Sequence, residues 1–245
     1  MQRIIDKVKK LIVLHKQSAL GGEKMPEDSN PNLQLGSVEN FTYFTLPMAL
    51  NYQRNSYKLW ESALVSWNDK ETCDIFLPEN VVGMDVEILK EKLTKYKVAL
   101  QPTKQTEIWQ RLCNTMVQKL HGDIRNIFIW NDFDIVKIKN YVLKNKKDFP
   151  YISGTKILNY WLYVISQYTD VEFVNMEQIS VAPDTHVLQA SVKLGLIDGK
   201  DLSKANIREV VSEKWKQILK GTEIKPIDIH TPLWLWSRGG FKVDV

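Results

Sequence analysis

Apolar residues recur at intervals of three and four through most of the chain, whereas runs that alternate apolar and polar residues are scarce. Intervals of three and four place side chains on one face of an α-helix, and a period of two is typical of a strand. The clearest apolar stripe lies within residues 105–121 and consists of Trp109, Leu112, Cys113, Met116 and Leu120. We therefore predict an all-α fold.

The same spacing, together with glycine and proline at several boundaries, predicts where the helices lie. The predicted helices span residues 2–15, 41–53, 57–67, 86–96, 105–121, 134–145, 154–168, 185–194 and 204–219, and a last helix begins at Pro226 or Pro232. Residues 18–40 are polar and contain Gly21-Gly22, Pro26, Pro31 and Gly36. This composition predicts a loop or mobile linker.

The order of these segments predicts two helical subdomains with an active-site cleft between them. Residues 1–45 are expected to form an N-terminal helix and a mobile loop that pack with the C-terminal subdomain. Residues 46–168 are expected to form one helical subdomain, which ends in a helix, a hairpin and a second helix over 134–168. Residues 169–245 are expected to form the C-terminal helical subdomain.

Composition favours a globular protein that needs neither disulfides nor a metal. A chain of 245 residues with 44% hydrophobic residues can bury a full core. Cys73 and Cys113 lack the spacing of a disulfide framework or a metal site, and the four histidines lack paired spacing, so we predict no metal site. The first residues carry scattered charges and no long apolar run. We expect no signal peptide, no membrane span and a location in the cytoplasm or nucleoid.

The net charge of +4, from 33 basic and 29 acidic residues, permits a nucleic-acid partner without requiring one. The local distribution is more informative. Five lysines precede the predicted hairpin: Lys137, Lys139, Lys144, Lys146 and Lys147. They are compatible with a patch that faces phosphates or with an ordinary solvated helix face.

Two charged residues stand at predicted helix starts. Asp184 follows Pro183 and opens a helix, where an aspartate is among the best N-cap residues. A carboxylate held by N–H donors can also stabilise positive charge on a sugar carbon whose base is leaving. Lys156 lies in the first turn of its helix, where its amine is a candidate nucleophile for Schiff-base chemistry. The alternative is an ordinary exposed lysine.

Aromatic residues and one glycine complete the candidate site. The chain has eight tryptophans, and a flipped base needs an aromatic face to stack on. His230 and Trp234 are four residues apart and share a face if that segment is helical, although a lone histidine is more often structural. Gly154 would let backbone N–H groups approach a phosphate, or would simply make the turn.

Three segments resemble one family. Phe149-Pro150 and Gly154-Thr155-Lys156 resemble the hairpin motif Leu-Pro-Gly-Val-Gly-x-Lys, and Pro183-Asp184-Thr-His-Val resembles a Val-Asp-Thr-His-Val signature. The segment 224–238 resembles the C-terminal helix of the archaeal 8-oxoguanine (GO) DNA glycosylases. From about residue 42 to 241, the chain therefore resembles the helix-hairpin-helix DNA glycosylases, and the archaeal 8-oxoguanine DNA glycosylase/AP lyases most closely.

The resemblance implies a monomeric base-excision repair enzyme that acts on double-stranded DNA containing a damaged base, without a cofactor. Lys156 would be the Schiff-base nucleophile and Asp184 would stabilise the developing charge. The residues implied to contact the extruded base are Trp60, Trp234, His230 and Pro183. Those implied to contact DNA are Gln53, Arg54, Asn55, Ser153, Gly154 and Thr155.

Two departures from the family pattern keep alternatives open. The hairpin has Tyr151-Ile152 where the motif has its first glycine, and His230 stands where the archaeal enzymes have a base-contacting aspartate. The base could thus be an alkylated purine or uracil instead of 8-oxoguanine. The chain could also be a non-catalytic helix-hairpin-helix module, in which Asp184 is only a cap and Lys156 only a phosphate contact.

Overall fold

A computed structural model describes residues 2–21 and 24–245, and its regular structure is helical in that range. Twelve α-helices occur there: α1 Gln2–Lys16, α2 Val38–Thr45, α3 Ser56–Asn68, α4 Pro78–Val82, α5 Val86–Lys95, α6 Pro102–Lys119, α7 Asn126–Ile129, α8 Ile135–Lys144, α9 Thr155–Tyr168, α10 Thr185–Lys193, α11 Ile207–Leu219 and α12 His230–Arg238. Among the described residues, pairing of the strand type is limited to one isolated bridge between Asp134 and Val174. The all-α prediction is confirmed.

Local chemistry explains where the helices depart from the predicted bounds. The predicted helix over 41–53 is divided, because α2 ends at Thr45 and a 3-10 turn runs from Pro47 to Leu50. Proline lacks a backbone N–H and its ring clashes with the preceding turn, so it interrupts a helix. Helices α4 and α7 were not predicted, because segments this short show no apolar period. Gly22, part of the predicted loop, lies outside the described residues.

The chain divides into two compact units. One unit, which we call the terminal unit, combines Met1–Lys24 with Met176–Val245, and the other, the central unit, is Met25–Asn175. These bounds differ from the predicted divisions at residues 45 and 168. Residues 25–45 belong to the central unit because the 3-10 turn Pro26–Asp28 packs against α3 and because α2 packs against α9.

Helices α1, α10, α11 and α12 form the core of the terminal unit. Helix α12 packs against both α1 and α10. Trp215 of α11 is fully buried, and its indole N–H donates to Ser191 Oγ of α10 at 3.0 Å. The Ser191 hydroxyl donates in turn to the Val187 carbonyl at 2.8 Å. One buried hydroxyl therefore satisfies the indole and joins two helices.

Helix α6 is central to the core of the central unit and packs against α4 and α5. The predicted stripe of α6 is buried, as expected from its spacing. Trp109 is fully buried, and its indole N–H donates to the Ile75 carbonyl at 2.8 Å. Across the part of the chain that the structure describes, no helix has both the length and the apolar character needed to cross a membrane.

Replacing Ser191 by alanine should destabilise the terminal unit by about 1–3 kcal/mol, because the Trp215 N–H would be buried without an acceptor. Ser203, whose exposed hydroxyl donates to the Lys200 carbonyl, is the matched control, and Ser203→Ala should change stability by less than about 0.5 kcal/mol. Urea unfolding followed by tryptophan fluorescence measures both variants. Equal midpoints for the two variants would contradict this account of Ser191.

Candidate functional site

Asp184 lies at the N-terminus of α10 and uses both carboxylate oxygens. Oδ1 accepts a hydrogen bond from the Val187 backbone N–H at 3.0 Å, which is an N-cap interaction. Oδ2 accepts from the indole N–H of Trp234, in α12, at 3.0 Å. The carboxylate is half-buried. Two residues singled out in the sequence for different roles, the candidate catalytic acid and a candidate base-stacking ring, are therefore in direct contact.

The ring of Trp234 is held by its neighbours. The Arg238 guanidinium lies 4.8 Å from the ring centre, and the His186 ring packs nearly perpendicular to it at 5.6 Å between centroids. His186 Nδ1 lies 3.3 Å from Ser237 Oγ, which donates to Gln189 Oε1 at 3.0 Å. Trp234 itself is half-buried. A base that stacks on this ring would have to share it with Arg238 or displace Arg238.

His230 and Pro183 are more deeply placed. Helix α12 begins at His230, so His230 and Trp234 lie one turn apart on the same face, as the spacing predicts. His230 is only 6% exposed. Pro183 is buried, and its carbonyl accepts from Arg208 Nε at 3.1 Å. Contact of either side chain with a base stays a prediction.

In the central unit, Lys156 is the second residue of α9 and is exposed. Among the described residues it forms no ion pair, and the first turn of α9 contains no acidic residue. Gly154 is the N-cap and provides no side-chain cap, and Thr155 is exposed. A Cβ at Gly154 would lie 3.2 Å from the Tyr151 carbonyl oxygen, which favours glycine there. The amine of Lys156 is thus accessible to a substrate.

The connection between α8 and α9 is a compact turn. The Ser153 N–H donates to the Phe149 carbonyl at 2.9 Å, and the Gly154 N–H donates to the Tyr151 carbonyl at 3.0 Å. Tyr151 has a φ of 61°, in the left-handed region that favours glycine. The position that lacks the first glycine of the motif therefore still has a glycine-like backbone, which a tyrosine adopts.

The candidate DNA-binding residues 53–55 lie in the turn before α3. Gln53 is exposed, with a φ of 50°. Arg54 donates from Nη1 to the Val98 carbonyl at 2.6 Å and from Nη2 to the Lys97 carbonyl at 2.9 Å, and burial lowers its pKa to about 10. Asn55 caps α3. Arg54 therefore holds the turn in place, and Gln53 is the most available of the three for a ligand.

Two stacked tyrosines connect this turn to the segment between α8 and α9. The rings of Tyr52 and Tyr151 lie 4.0 Å apart between centroids with an interplanar angle of 11°. Tyr52 immediately precedes Gln53, and Tyr151 is close in sequence to Ser153. The structure therefore brings together the two segments, 53–55 and 153–155, in which the sequence predicts DNA contacts.

The lysines before the hairpin divide into two groups. Lys137 forms an ion pair with Asp132 at 2.6 Å, and Lys139 donates to Asn159 Oδ1 at 3.0 Å, which ties α8 to α9. The other three are exposed and form no ion pair with any described residue. These are Lys144, Lys146 and Lys147. A smaller positive patch than predicted therefore lies at the C-terminal end of α8.

Trp60 is fully buried, in contact with the rings of Tyr43 and Phe44. It has no exposed face on which a base could stack, so its predicted role requires neighbouring residues to move.

Beside Trp60 lies a carboxylate that the sequence did not single out, Glu27, which is 1% exposed. The Tyr160 hydroxyl is 3.1 Å from both Glu27 oxygens. A glutamate in a polar, proline-containing stretch gives no sequence signal of burial.

No family model, no curated protein and no solved structure matches this chain. Within the described residues, no group of three or more histidine, cysteine, aspartate or glutamate side chains is arranged to hold a metal ion.

Burial raises the pKa of Glu27 from 4.5 to about 7, against the opposite effect of its hydrogen bonds. The unfolded chain then loses this proton at lower pH than the folded chain, so the stability that Glu27 contributes falls as pH rises from about 4.5 to about 7. Wild type should therefore lose stability on the order of 3 kcal/mol between pH 4.5 and pH 8, and Glu27→Gln should lack this loss because its amide does not titrate.

Urea midpoints measured at several pH values for wild type and Glu27→Gln test this prediction. The exposed Glu107 is the matched control, and Glu107→Gln should leave the pH dependence unchanged. If the curves of urea midpoint against pH are parallel for wild type and Glu27→Gln, the Glu27 carboxyl is not the group that causes the pH dependence.

Proposed function

We propose that this chain is a bifunctional DNA glycosylase and AP β-lyase that excises an oxidised purine, 8-oxoguanine, from double-stranded DNA. One observation carries the proposal most directly, namely that the Asp184 carboxylate is held by the Val187 N–H and the Trp234 indole N–H. The proposed reaction forms a sugar cation next to a stacked base. A carboxylate in a fixed position can stabilise such a cation, and an aromatic ring beside it can hold the base.

The proposed reaction begins when the damaged nucleotide rotates out of the duplex. The neutral amine of Lys156 attacks C1′ of the sugar, and the bond from C1′ to the base nitrogen breaks, so the base leaves with the electron pair and acquires a proton. Asp184 stabilises the positive charge on the sugar and assists the proton transfers. Opening of the sugar ring leaves a Schiff base between C1′ and Lys156.

The Schiff base makes strand cleavage possible. A proton leaves C2′, the C3′–O bond breaks, and the 3′ phosphate departs with that electron pair. Water then hydrolyses the imine and releases Lys156. No step needs a metal, an oxidant or an organic cofactor. The proposal requires Lys156 and Asp184 to act on the same sugar.

Features of the central unit support a DNA partner. Lys144, Lys146 and Lys147 are exposed and unpaired with any described carboxylate, so they are available to phosphates. The start of α9 has no side-chain cap and no acid in its first turn, a combination that suits an anion. The stacking of Tyr52 on Tyr151 brings the predicted hairpin next to the 53–55 turn, so both could contact one DNA backbone.

A non-catalytic DNA-binding module is the second candidate, because the geometry of Asp184 fits it as well as it fits a catalytic carboxylate. Both carboxylate oxygens already accept hydrogen bonds from the protein. These two bonds would be enough for a residue that only caps α10 and anchors it to α12, with no part in a reaction. A glycosylase for an alkylated purine or uracil is a variant of the first candidate, since His230 would alter how a base edge is recognised.

Lys156→Gln should abolish covalent trapping to lesion-containing DNA by borohydride, because a glutamine side chain cannot form the imine that borohydride reduces. Lys70→Gln, which also removes one exposed lysine but between two acidic neighbours, should be trapped as well as wild type. The measurement uses duplexes that each carry 8-oxoguanine, an alkylated purine, uracil or an abasic site. Undiminished trapping of Lys156→Gln would rule out Lys156 as the nucleophile. If wild type binds DNA but is trapped on none of these duplexes, the non-catalytic module is favoured.

Asp184→Asn and Trp234→Phe separate the electrostatic role of the carboxylate from its structural role. Each should destabilise the protein by about 1–3 kcal/mol, since an asparagine oxygen cannot easily satisfy both donors and phenylalanine lacks the N–H. Asp184→Asn should slow base excision by roughly a hundredfold or more through loss of the charge. Trp234→Phe keeps the charge and a ring, so it should slow excision only severalfold. Equal excision rates in single turnover would leave Asp184 as a cap alone.

A further inference from the structure

Lys104, in the first turn of α6, lies beside the stacked tyrosines. Its ammonium is 5.1 Å from the ring centre of Tyr151 and 5.6 Å from that of Tyr52. Lys104 is exposed, and no described carboxylate forms an ion pair with it. Its hydrogen bond lowers the pKa of the Tyr151 phenol. A cation and a phenol hydroxyl, both able to donate to an oxyanion, are thus held side by side on the surface.

The position of Lys104 is unfavourable for the helix that bears it. A cation in the first turn opposes the helix macrodipole, and the first turn of α6 contains no acidic residue to compensate. Tyr151 also has an unfavourable backbone, with its φ of 61°. Lys104 and Tyr151 are thus neighbours that each oppose local stability. Together they present hydrogen-bond donors to solvent, which suits binding of an anionic ligand better than a structural role.

Continuity with the hairpin indicates which anion. Tyr151 accepts the Gly154 N–H in the turn before α9, and Tyr52 adjoins Gln53. The donors of Lys104 and Tyr151 therefore extend the candidate DNA-binding surface from the hairpin onto α6, an element that the sequence did not associate with DNA. A strand that follows this surface presents one phosphate after another.

We propose that Lys104 and Tyr151, supported by the ring of Tyr52, form a binding site for one phosphate of the DNA backbone. The inference rests on the proposed function, because it needs DNA on this surface. Lys104 supplies the charge, and the Tyr151 hydroxyl supplies a directed hydrogen bond. The stack on Tyr52 holds the phenol so that little conformational entropy is lost on binding.

The test measures binding of an undamaged duplex by fluorescence anisotropy over a range of salt concentrations. Lys104→Ala should lower the magnitude of the slope of log K against log salt concentration by about 1, the value of one lost phosphate contact. Lys104→Arg should restore the slope. Tyr151→Phe should weaken binding severalfold with the slope unchanged, since it removes a neutral donor and keeps the ring.

Lys70→Ala is the matched control. Lys70 is exposed in the same unit, between Asp69 and Glu71, and its removal should leave the slope as in wild type. Thermal unfolding separates function from structure. Lys104→Ala loses the contacts with the two rings but also removes a cation that opposes the helix macrodipole, so it should unfold within a few degrees of wild type. Suppose that wild type binds DNA and is trapped through Lys156. A salt slope for Lys104→Ala equal to that of wild type would then overturn the phosphate site and leave the proposed function standing. If wild type neither binds nor is trapped, the site and the proposed function are both wrong.

Discussion

The ring of Tyr43 is the contact on which the arrangement of the central unit most depends. It is fully buried and lies 5.8 Å from the ring of Trp60, 5.6 Å from that of Trp67 and 5.5 Å from that of Phe76. Contacts of this kind stabilise by about 0.5–1.5 kcal/mol each beyond the burial of apolar area. Because these rings belong to α2, α3 and the 3-10 turn at residues 73–76, one side chain orients three elements. Residues 46–55 join α2 to α3, so both ends of this connection, which includes the turn at 51–55, are fixed.

Asp184 shows that an N-cap and a catalytic carboxylate need the same geometry. A carboxylate that stabilises a transition state must already be oriented before the substrate arrives, and hydrogen bonds to N–H donors provide that orientation. The same bonds satisfy the start of α10 and join it to α12. The two roles therefore predict one geometry and differ only in whether negative charge matters to a reaction rate.

Residues with periodic spacing were predictable from the sequence, and residues whose role depends on distant partners were not. The stripe of α6 follows from spacing, and Asp184 as an N-cap follows from its place before an apolar helix. Helix α12 instead begins at His230, between the two prolines at which its start was predicted, because Pro226 begins a separate 3-10 turn. The contact of Trp234 with Asp184 joins residues 50 positions apart, and no local pattern encodes it. Glu27 was missed because its burial is imposed by α3 and α9, which lie far along the chain.

Tyr151 combines strain with a favourable contact, and the balance between them bears on what the hairpin does. A left-handed backbone at a non-glycine residue is unfavourable by roughly 1–2 kcal/mol. Glycine would avoid this, yet it could neither stack on Tyr52 nor place a phenol beside Lys104. The stack can offset most of the strain and leaves the phenol in one orientation. Because the stack does little more than offset the strain, glycine would be about as stable at this position, and what the tyrosine adds is a phenol placed beside Lys104.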